Sequence, residues 1–579
     1  MAGDLEKKWV SREEKLEKED VEQAQAVIDA IMSGNPYLDP LIARLLYLRG
    51  ISSAEQAQNF LHGNLSSLPC PDEMKGMKKA AARIADAVIN KEKISIHSDF
   101  DCDGITSAAC LMTFFKMLGA NASYSIPSRE EGYGLSEEAI RQCAAEGTRL
   151  IISTDCGITA HKEAEIAHSL GVTLLVTDHH RPPDTLPKAY SIINPHQHDC
   201  PFPFKDLAGV GVAFFLAGAI RRELRQRGWF EGQAEPPLKP LLPFLAIGTI
   251  ADLVPLKGIN RVLVEAGLGV LQTNPPIGFS ALCQAAGVKK ISCGSIAFNI
   301  APRLNASGRL ESASLGVELL LTQDEQQAQS IARQLDALNR ERQRIEDLTL
   351  EKAIRRIDQG ETGQRTIVLA DPTFHPGVIG ICCSRLIEKY HRPSILIALD
   401  QDQGKGSGRS ITNFHLYDSL KQCSEFLDGF GGHKAAAGLK IQRKNIAAFA
   451  HAFDDLALSS LSEEDMIPRA FYDDHLPLEM CTVERAAGLE LLQPHGMENP
   501  TPCFICKQVT ADNVRVVGEK HLSFIAQQNG SRVRCIAFGM AQRAQEIQQG
   551  SFDILFSLGI NEWRGERSAQ LEIKDIKKG

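Results

Sequence analysis

Apolar and polar residues alternate from Ile94 to His97, the period-two pattern of a strand, and the chain then presents Asp99, Asp101 and Asp103 at every second position before Gly104. A helix-length apolar run, 105–118, follows with no cation before Lys116. The design returns twice. The apolar run 150–154 leads into Asp155-Cys156-Gly157, and 172–177 leads into Asp178-His179-His180. A longer apolar stretch beginning at Ala246 ends in Asp252. Amphipathic helices predicted over 137–146 and 161–170 separate the strands, so the pattern predicts an α/β fold with a parallel sheet. In such sheets ligands gather outside the carboxyl ends of the strands, and all the acidic clusters fall at that edge.

The remaining pattern divides the chain. Residues 1–70 read as a charged, then helical lead-in (21–32, 42–48, 54–60) without chemistry of its own, and 71–275 as the domain bearing the acidic clusters. In the connecting segment 276–360, the run 322–360 has no Gly or Pro before Gly360 and is rich in Gln, Arg, Glu and Leu, which predicts an extended linking helix. A smaller α/β domain, 361–462, has predicted strands at 366–370 and 394–399 around a helix at 378–390. From 465 to 579, five short strand-like runs (514–518, 522–526, 533–538, 553–558, 571–576) predict an OB-like barrel, a common cradle for single-stranded nucleic acid. A chain of 579 residues with 43% hydrophobic content suits several such domains. No run approaches the ~18 uninterrupted apolar residues of a membrane span, and the start lacks the apolar core of a signal peptide.

The clustered carboxylates decide the chemistry. Burying unpaired acid at strand ends is costly, and the apolar run after Gly104 offers no nearby cation. A divalent metal is the economical compensation, and oxygen ligands with an imidazole suit Mn²⁺ or Mg²⁺. A solvated acidic loop would explain one such segment; four at one sheet edge argue against it. Cys102 and Cys156 adjoin the aspartates, but in an extended segment Cys102 points opposite to Asp101 and Asp103, and both read as packing residues. Cys503 and Cys506 form a lone C-x-x-C, insufficient for zinc. Fifteen scattered cysteines fit reduced thiols in a cytoplasm. The net charge of −9 neither supports nor excludes a nucleic-acid partner, because phosphate affinity depends on local Lys and Arg placement.

Taken together, His97-x-x-x-Asp101-x-Asp103, Asp155-Cys156-Gly157, Asp178-His179-His180 and Asp252 resemble the four motifs of the DHH phosphoesterase superfamily. Further stretches resemble its RecJ branch of single-strand-specific exonucleases: Ile193-Asn194-Pro195-His196, then 248–255, 301–309 and 405–410. The segment 431–438 resembles the signature of the DHH-associated second domain, and 499–504 the start of the C-terminal module. The resemblance runs from about residue 70 to the end. It implies an α/β fold class: a parallel-sheet DHH domain and a smaller DHH-associated α/β domain joined by a long helix, plus a C-terminal OB-like β-barrel.

Carried over residue by residue, the resemblance implies two divalent ions, Mn²⁺ or Mg²⁺. His97, Asp101 and Asp155 would hold one, and Asp103, Asp155, His179 and Asp252 the other. Such a pair acidifies an attacking water and neutralises phosphoryl charge. His180 would lean toward the substrate phosphate. Asp99 and Asp178 would fix an imidazole or a turn, or serve only as local turn carboxylates. Arg303, Asn305 and Arg309 lie in an Asn/Gly-rich segment where guanidinium forks suit phosphates, although either arginine can instead bridge to Glu311 or Glu318. Arg129 and Tyr133 lie in a loop resembling a DNA-contacting loop of the branch, with Tyr133 stacking on a base or packing in a turn. Gly432 and His433 would close over the phosphates. Ser407 and Arg409 would hold a terminal phosphate, their neighbouring glycines letting backbone N–H groups approach the anion, or would form a plain hairpin turn.

The implied activity is 5′-to-3′ exonuclease action on single-stranded DNA, releasing 5′-mononucleotides in DNA recombination and repair. The implied setting is a cytoplasmic monomer whose partners are single-stranded DNA and a single-strand-binding protein or helicase, with no membrane. Metal-dependent hydrolysis follows from the residues; substrate and polarity follow from the resemblance. Two other readings stay open. A superfamily phosphoesterase acting on short oligoribonucleotides, cyclic dinucleotides or polyphosphate has no need of the C-terminal module. A non-catalytic nucleic-acid-binding scaffold has no reason to bear clustered carboxylates.

Overall fold

The computed structural model describes residues 5–15, 18–127, 134–548 and 550–578. The chain falls into two compact units: 9–301 with 320–323 and 471–579, and 1–8 with 302–319 and 324–470.

In the first unit five parallel strands lie in the order Ala122–Ser125, Ile94–Ser98, Leu150–Thr154, Thr173–Thr177 and Ser191–Ile193. Both Ile94–Ser98 and Leu150–Thr154 are buried along their whole length, as expected for parallel strands with helices on both faces. In chain order this is 2-1-3-4-5, so the order reverses between the first and third strands. Crossover chains leave that point in opposite directions and open a crevice there. The register is level: Ser98 lies opposite Thr154, and Thr154 opposite Thr177. The residues that follow, Asp99, Asp155 and Asp178, therefore emerge side by side.

The C-terminal part of this unit is a barrel. Phe504–Val517, His521–Gln528, Ser531–Ala537, Glu566–Lys578 and Phe552–Trp563 pair in that circular order, and Phe504–Val517 closes the ring against Phe552–Trp563. Inward and outward positions alternate cleanly in His521–Gln528, with Leu522, Phe524 and Ala526 buried. The N-terminal helices pack against this barrel region. Ile28, Ile31, Leu45, Leu46 and Phe60 share one apolar core with Leu489, Leu492, Phe504, Phe524 and Phe556 of the barrel region. Buried Arg261 pins the junction: its guanidinium donates to the carbonyls of Phe60 (2.8 Å), Leu491 (3.2 Å) and Leu492 (3.3 Å), and lies 4.1 Å from the Phe60 ring centroid. Sequence periodicity locates the helices of 1–70 but not the surface that covers them.

The second unit holds a mixed five-stranded sheet in the order Leu427–Gly432, Ala436–Gln442, Gln403–Arg409, Ser394–Asp400 and Ile367–Asp371. The linking helix runs 34 residues, Glu325–Asp358, and begins at the Asp324 side-chain cap on Gln327 N–H. Among the described residues, no helix is long and apolar enough to cross a membrane.

Leu46 is fully buried in the core shared by the helices and the barrel. Leu46→Ala is expected to cost about 2–5 kcal/mol in urea unfolding. Amide exchange should quicken in Phe504–Val517 as well as in Pro40–Tyr47; acceleration confined to the helix would count against a common core.

Candidate active site

Three strand ends and three helix ends converge on a group of acids. Asp101 caps the helix Cys102–Met117, its Oδ1 accepting from Asp103 N–H (2.9 Å) and Gly104 N–H (3.1 Å). Asp103 sits in the first turn of that helix. Its Oδ2 accepts from Gly209 N–H (2.6 Å) and its Oδ1 from Val210 N–H (2.9 Å), the leading amides of the helix Gly209–Gln226. A helix N-terminus is a natural seat for a buried carboxylate. Asp155 holds a left-handed backbone conformation (φ 60°), uncommon for a non-glycine residue and a store of local strain. A Cβ at Gly209 would lie 2.7 Å from the Asp155 Cβ, so glycine is required there. Asp252 caps the C-terminal end of the helix Leu242–Ala251.

His179 ties these groups together. Its Nε2 lies 3.1 Å from Asp155 Oδ1, 3.7 Å from Asp252 Oδ2 and 3.8 Å from Asp103 Oδ2. Asp178 organises the turn that carries it: Oδ1 accepts from His179 N–H (2.8 Å) and His180 N–H (3.1 Å) and meets His180 Nδ1 at 2.8 Å, while Oδ2 accepts from Ile158 N–H (2.9 Å). Donor atoms of three groups lie within 4.8 Å of one another: Asp155, His179 and His180; Asp103, His179 and Asp252; Asp99, Asp101 and Asp155.

The electrostatics are those of a site arranged for cations. Burial, then the charge of a neighbouring aspartate, raises the carboxyls of Asp99 and Asp103 to about 7 and that of Asp252 to about 9, and lifts Asp155 well above the carboxylate range. Burial and the adjacent His180 lower His179 to about 4, so its imidazole is neutral and able to ligate. Its Nε2 is buried without a hydrogen-bond partner among the described residues. A neutral imidazole ringed by carboxylate oxygens fits divalent Mn²⁺ or Mg²⁺. For His180, burial opposes the charged form, but the Asp178 carboxylate outweighs it and raises the ring to about 9. The Cys102 and Cys156 thiols are buried and pushed well above their ordinary range, as suits packing.

Not every expected ligand arrives. His97 shares a strand face with Ser95, and its Nε2 turns back to Ser95 Oγ (3.1 Å) and Cys143 Sγ (3.3 Å), outside the three acidic groups. Asp99 joins Asp101 and Asp155 in its stead. Period-two spacing gave His97 the right element but could not show which way its ring folds.

Most of the expected substrate residues beyond this centre (Arg303, Asn305, Arg309, Ser407, Arg409, Gly432 and His433) belong to the second unit. The Asn/Gly-rich segment is a helix, Ala301–Leu310, that carries half-buried Asn305. Arg303 pairs with Asp336 of the linking helix (2.9 Å), and Arg309 donates to Gly377 O (2.8 Å). Ser407 and Arg409 lie on the central strand Gln403–Arg409, neither in an anion-binding loop nor at a hairpin turn. That strand is laddered on both sides, and its glycines serve packing: a Cβ at Gly406 would lie 2.7 Å from Leu439 Cδ1. The two side chains instead border the helix Ile379–Tyr390, where a Cβ at Gly380 would lie 2.9 Å from Ser407 Oγ and 3.3 Å from Arg409 Nη2. Gly432 (φ 142°) ends an edge strand and leads into exposed His433. Arg129 and Tyr133 lie outside the described residues.

Comparison with known proteins places these features in context. Residues 93–249 match the DHH family N-terminal domain, 363–458 the DHHA1 domain and 472–575 the RecJ OB domain. The chain is 38% identical to the single-stranded-DNA-specific exonuclease RecJ of Bacillus subtilis, over 93% of this chain and 68% of that protein. To the Escherichia coli protein of the same name it is 36% identical, over 96% of this chain and 99% of that one. The fold matches the crystal structure of RecJ from Thermus thermophilus in complex with Mn²⁺, with a TM-score of 0.81, 31% identity, and coverage of 100% of this chain and 80% of that one. The same protein in complex with Mg²⁺ gives a TM-score of 0.75 at 30% identity, over 99% of this chain and 78% of that one.

Two measurements test the ligand set. In calorimetric titrations with Mn²⁺, Asp252→Ala should weaken binding far more than His97→Ala; comparable losses would return His97 to the centre. The raised carboxyls also set a pH dependence. Groups held above their unfolded value near 3.8 stabilise the fold below that value and lose the contribution as pH climbs through about 7 for Asp99 and Asp103 and about 9 for Asp252. Metal-free protein should therefore lose Tm on moving from acid to alkaline buffer, and the rise in Tm on adding Mn²⁺ should widen. A gap that does not change with pH would show that these carboxylates do not take the metal.

Proposed function

The chain belongs to the RecJ family of single-stranded-DNA-specific exonucleases, and on that premise we propose that it degrades single-stranded DNA from the 5′ end, releasing 5′-mononucleotides in DNA recombination and repair. The observation that carries the reading is the meeting of Asp103, Asp155 and Asp252 around the neutral Nε2 of His179. Asp99, Asp101, Asp103, Asp155, His179 and Asp252 would hold the Mn²⁺ or Mg²⁺ ions. When bound, such a pair acidifies a water for in-line attack on phosphorus and neutralises the phosphoryl oxygens. His180, kept cationic by Asp178, can donate to a phosphoryl oxygen from a half-exposed position.

Polarity rests on the second unit. Arg309, Ser407 and Arg409 border one helix start, Arg309 through Gly377 and the other two through Gly380. A helix N-terminus flanked by two guanidiniums and a hydroxyl suits a terminal phosphate. Arg303, Asn305, Gly432 and His433 remain candidates for contacts along the backbone, as do Arg129 and Tyr133. The closed barrel supports a role in gripping the strand. Fifteen cysteines without a disulfide support a reducing cytoplasm, where the enzyme would act as a monomer and meet a single-strand-binding protein or helicase on its substrate.

End-labelled strands test the reading. Asp155→Ala should lower Mn²⁺-dependent release of mononucleotides about a thousandfold, equivalent to roughly 4 kcal/mol of transition-state stabilisation, while strand binding survives. Turnover within tenfold of the parent would sink the metal assignment. Arg409→Ala should slow 5′-phosphorylated strands by about 1.5–3 kcal/mol, the range for a hydrogen bond to a charged group, and 5′-hydroxyl strands much less. An unchanged ratio between the two substrates removes Arg409 from end recognition.

A further inference from the structure

Phe298 is 82% exposed. It lies in a single π-helical turn, Ile296–Ile300, whose first and last residues are fully buried. Isoleucines at both ends anchor the turn while its wider winding presents the phenylalanine outward, and isolated π turns recur at functional sites. The turn packs on the helix Leu242–Ala251, the element that ends at Asp252. Leu253, the next residue, is 61% exposed and held in the left-handed region (φ 59°). A leucine there is strained, and strain of this kind persists where the surroundings enforce it, commonly at sites of function. The π turn and the residue that follows Asp252 thus each offer water a large apolar side chain.

We propose that Phe298 is a base-stacking platform for single-stranded DNA entering the metal centre, with Leu253 extending the apolar lip. The proposal rests on the reading above that single-stranded DNA is the substrate. An aromatic face serves such an enzyme for a specific reason. Ions held at the centre would act on the phosphate and leave the bases unheld. An exonuclease that accepts any sequence also cannot rely on reading base edges. Every base has a π face, and stacking on an aromatic ring holds it without regard to identity or charge.

The test compares the full-length parent, Phe298→Ala and Phe298→Trp on two 5′-phosphorylated strands, one ordinary and one carrying tetrahydrofuran abasic residues at its first several positions. Phe298→Ala should lower kcat/KM on the ordinary strand by about tenfold, the effect of losing one base–aromatic stack. It should leave the abasic strand, which has no base to stack, at the parent's rate, and Phe298→Trp should restore the ordinary strand. An equal loss on both strands would mean that Phe298 only shapes the fold, and no loss on the ordinary strand would mean that it touches no base; either overturns the proposal. In the Asp155→Ala background, 2-aminopurine near the 5′ end should be quenched on binding, and this quenching should vanish when Phe298→Ala is added; quenching that persists overturns the platform. A parent that degrades no single strand at all would instead bring down the substrate reading, and this proposal with it.

Discussion

Mutual repulsion among carboxylates buried at one end of a parallel sheet is the constraint around which the first unit is arranged. Asp99, Asp103, Asp155 and Asp252 lie close enough for each charge to penalise its neighbours, and burial adds to the penalty. Only part of it is relieved by the protein itself. The amides of Gly209 and Val210 answer Asp103, and the amides of Asp103 and Gly104 answer Asp101. Asp178, the best satisfied of the group, carries the protonated His180 and three backbone N–H groups, and it is the one carboxyl here held below its usual range, His180 outweighing the opposing effect of burial. The remainder falls on the groups around His179 Nε2, where divalent ions would supply the compensation.

That constraint explains the local backbone choices. Gly209 must be glycine because Asp155 presses against it while Asp103 draws on its N–H. Asp155 accepts a left-handed backbone because the turn after Leu150–Thr154 must aim its carboxylate at His179. The reversal of strand order between Ile94–Ser98 and Leu150–Thr154 opens the space in which both can meet. A pattern of alternate aspartates at a strand end is therefore intelligible only with the sheet topology that lets a cation reach them.

Much of this was legible in the sequence because its signals are local. Strand periodicity, the turn residues after each strand and the long Gly-free helix need no tertiary information, and the closed barrel follows from five short strand-like runs. The misreadings share one cause, the direction in which a side chain or a surface points. His97 sits on the expected strand, but its ring folds toward Ser95 and Cys143. The glycines around Ser407 suggested a loop open to anions, whereas they thin a central strand so that Leu439 and Ile397 can pack over it. The helices before residue 70 carried apolar faces whose partner, the barrel, lies more than four hundred residues away in the chain. Asp336, which aims Arg303, carried no local signal, because its importance arises only when two distant helices meet.

The same geometry limits how a strand can be held. Four guanidiniums are committed within the protein: Arg303 to Asp336, Arg309 to Gly377 O, Arg409 to Gly408 O, and Arg261 to three carbonyls at the barrel junction. Such commitment fixes where a fork points, and a pre-aimed fork loses less entropy on meeting a phosphate than a floppy one does. Guanidinium forks hold phosphates and not bases, so a strand also needs contacts that do not depend on charge. Contacts that act on the bases without reading them meet that requirement, and exposed apolar and aromatic side chains beside an acidic centre are the simplest way for a protein to provide them.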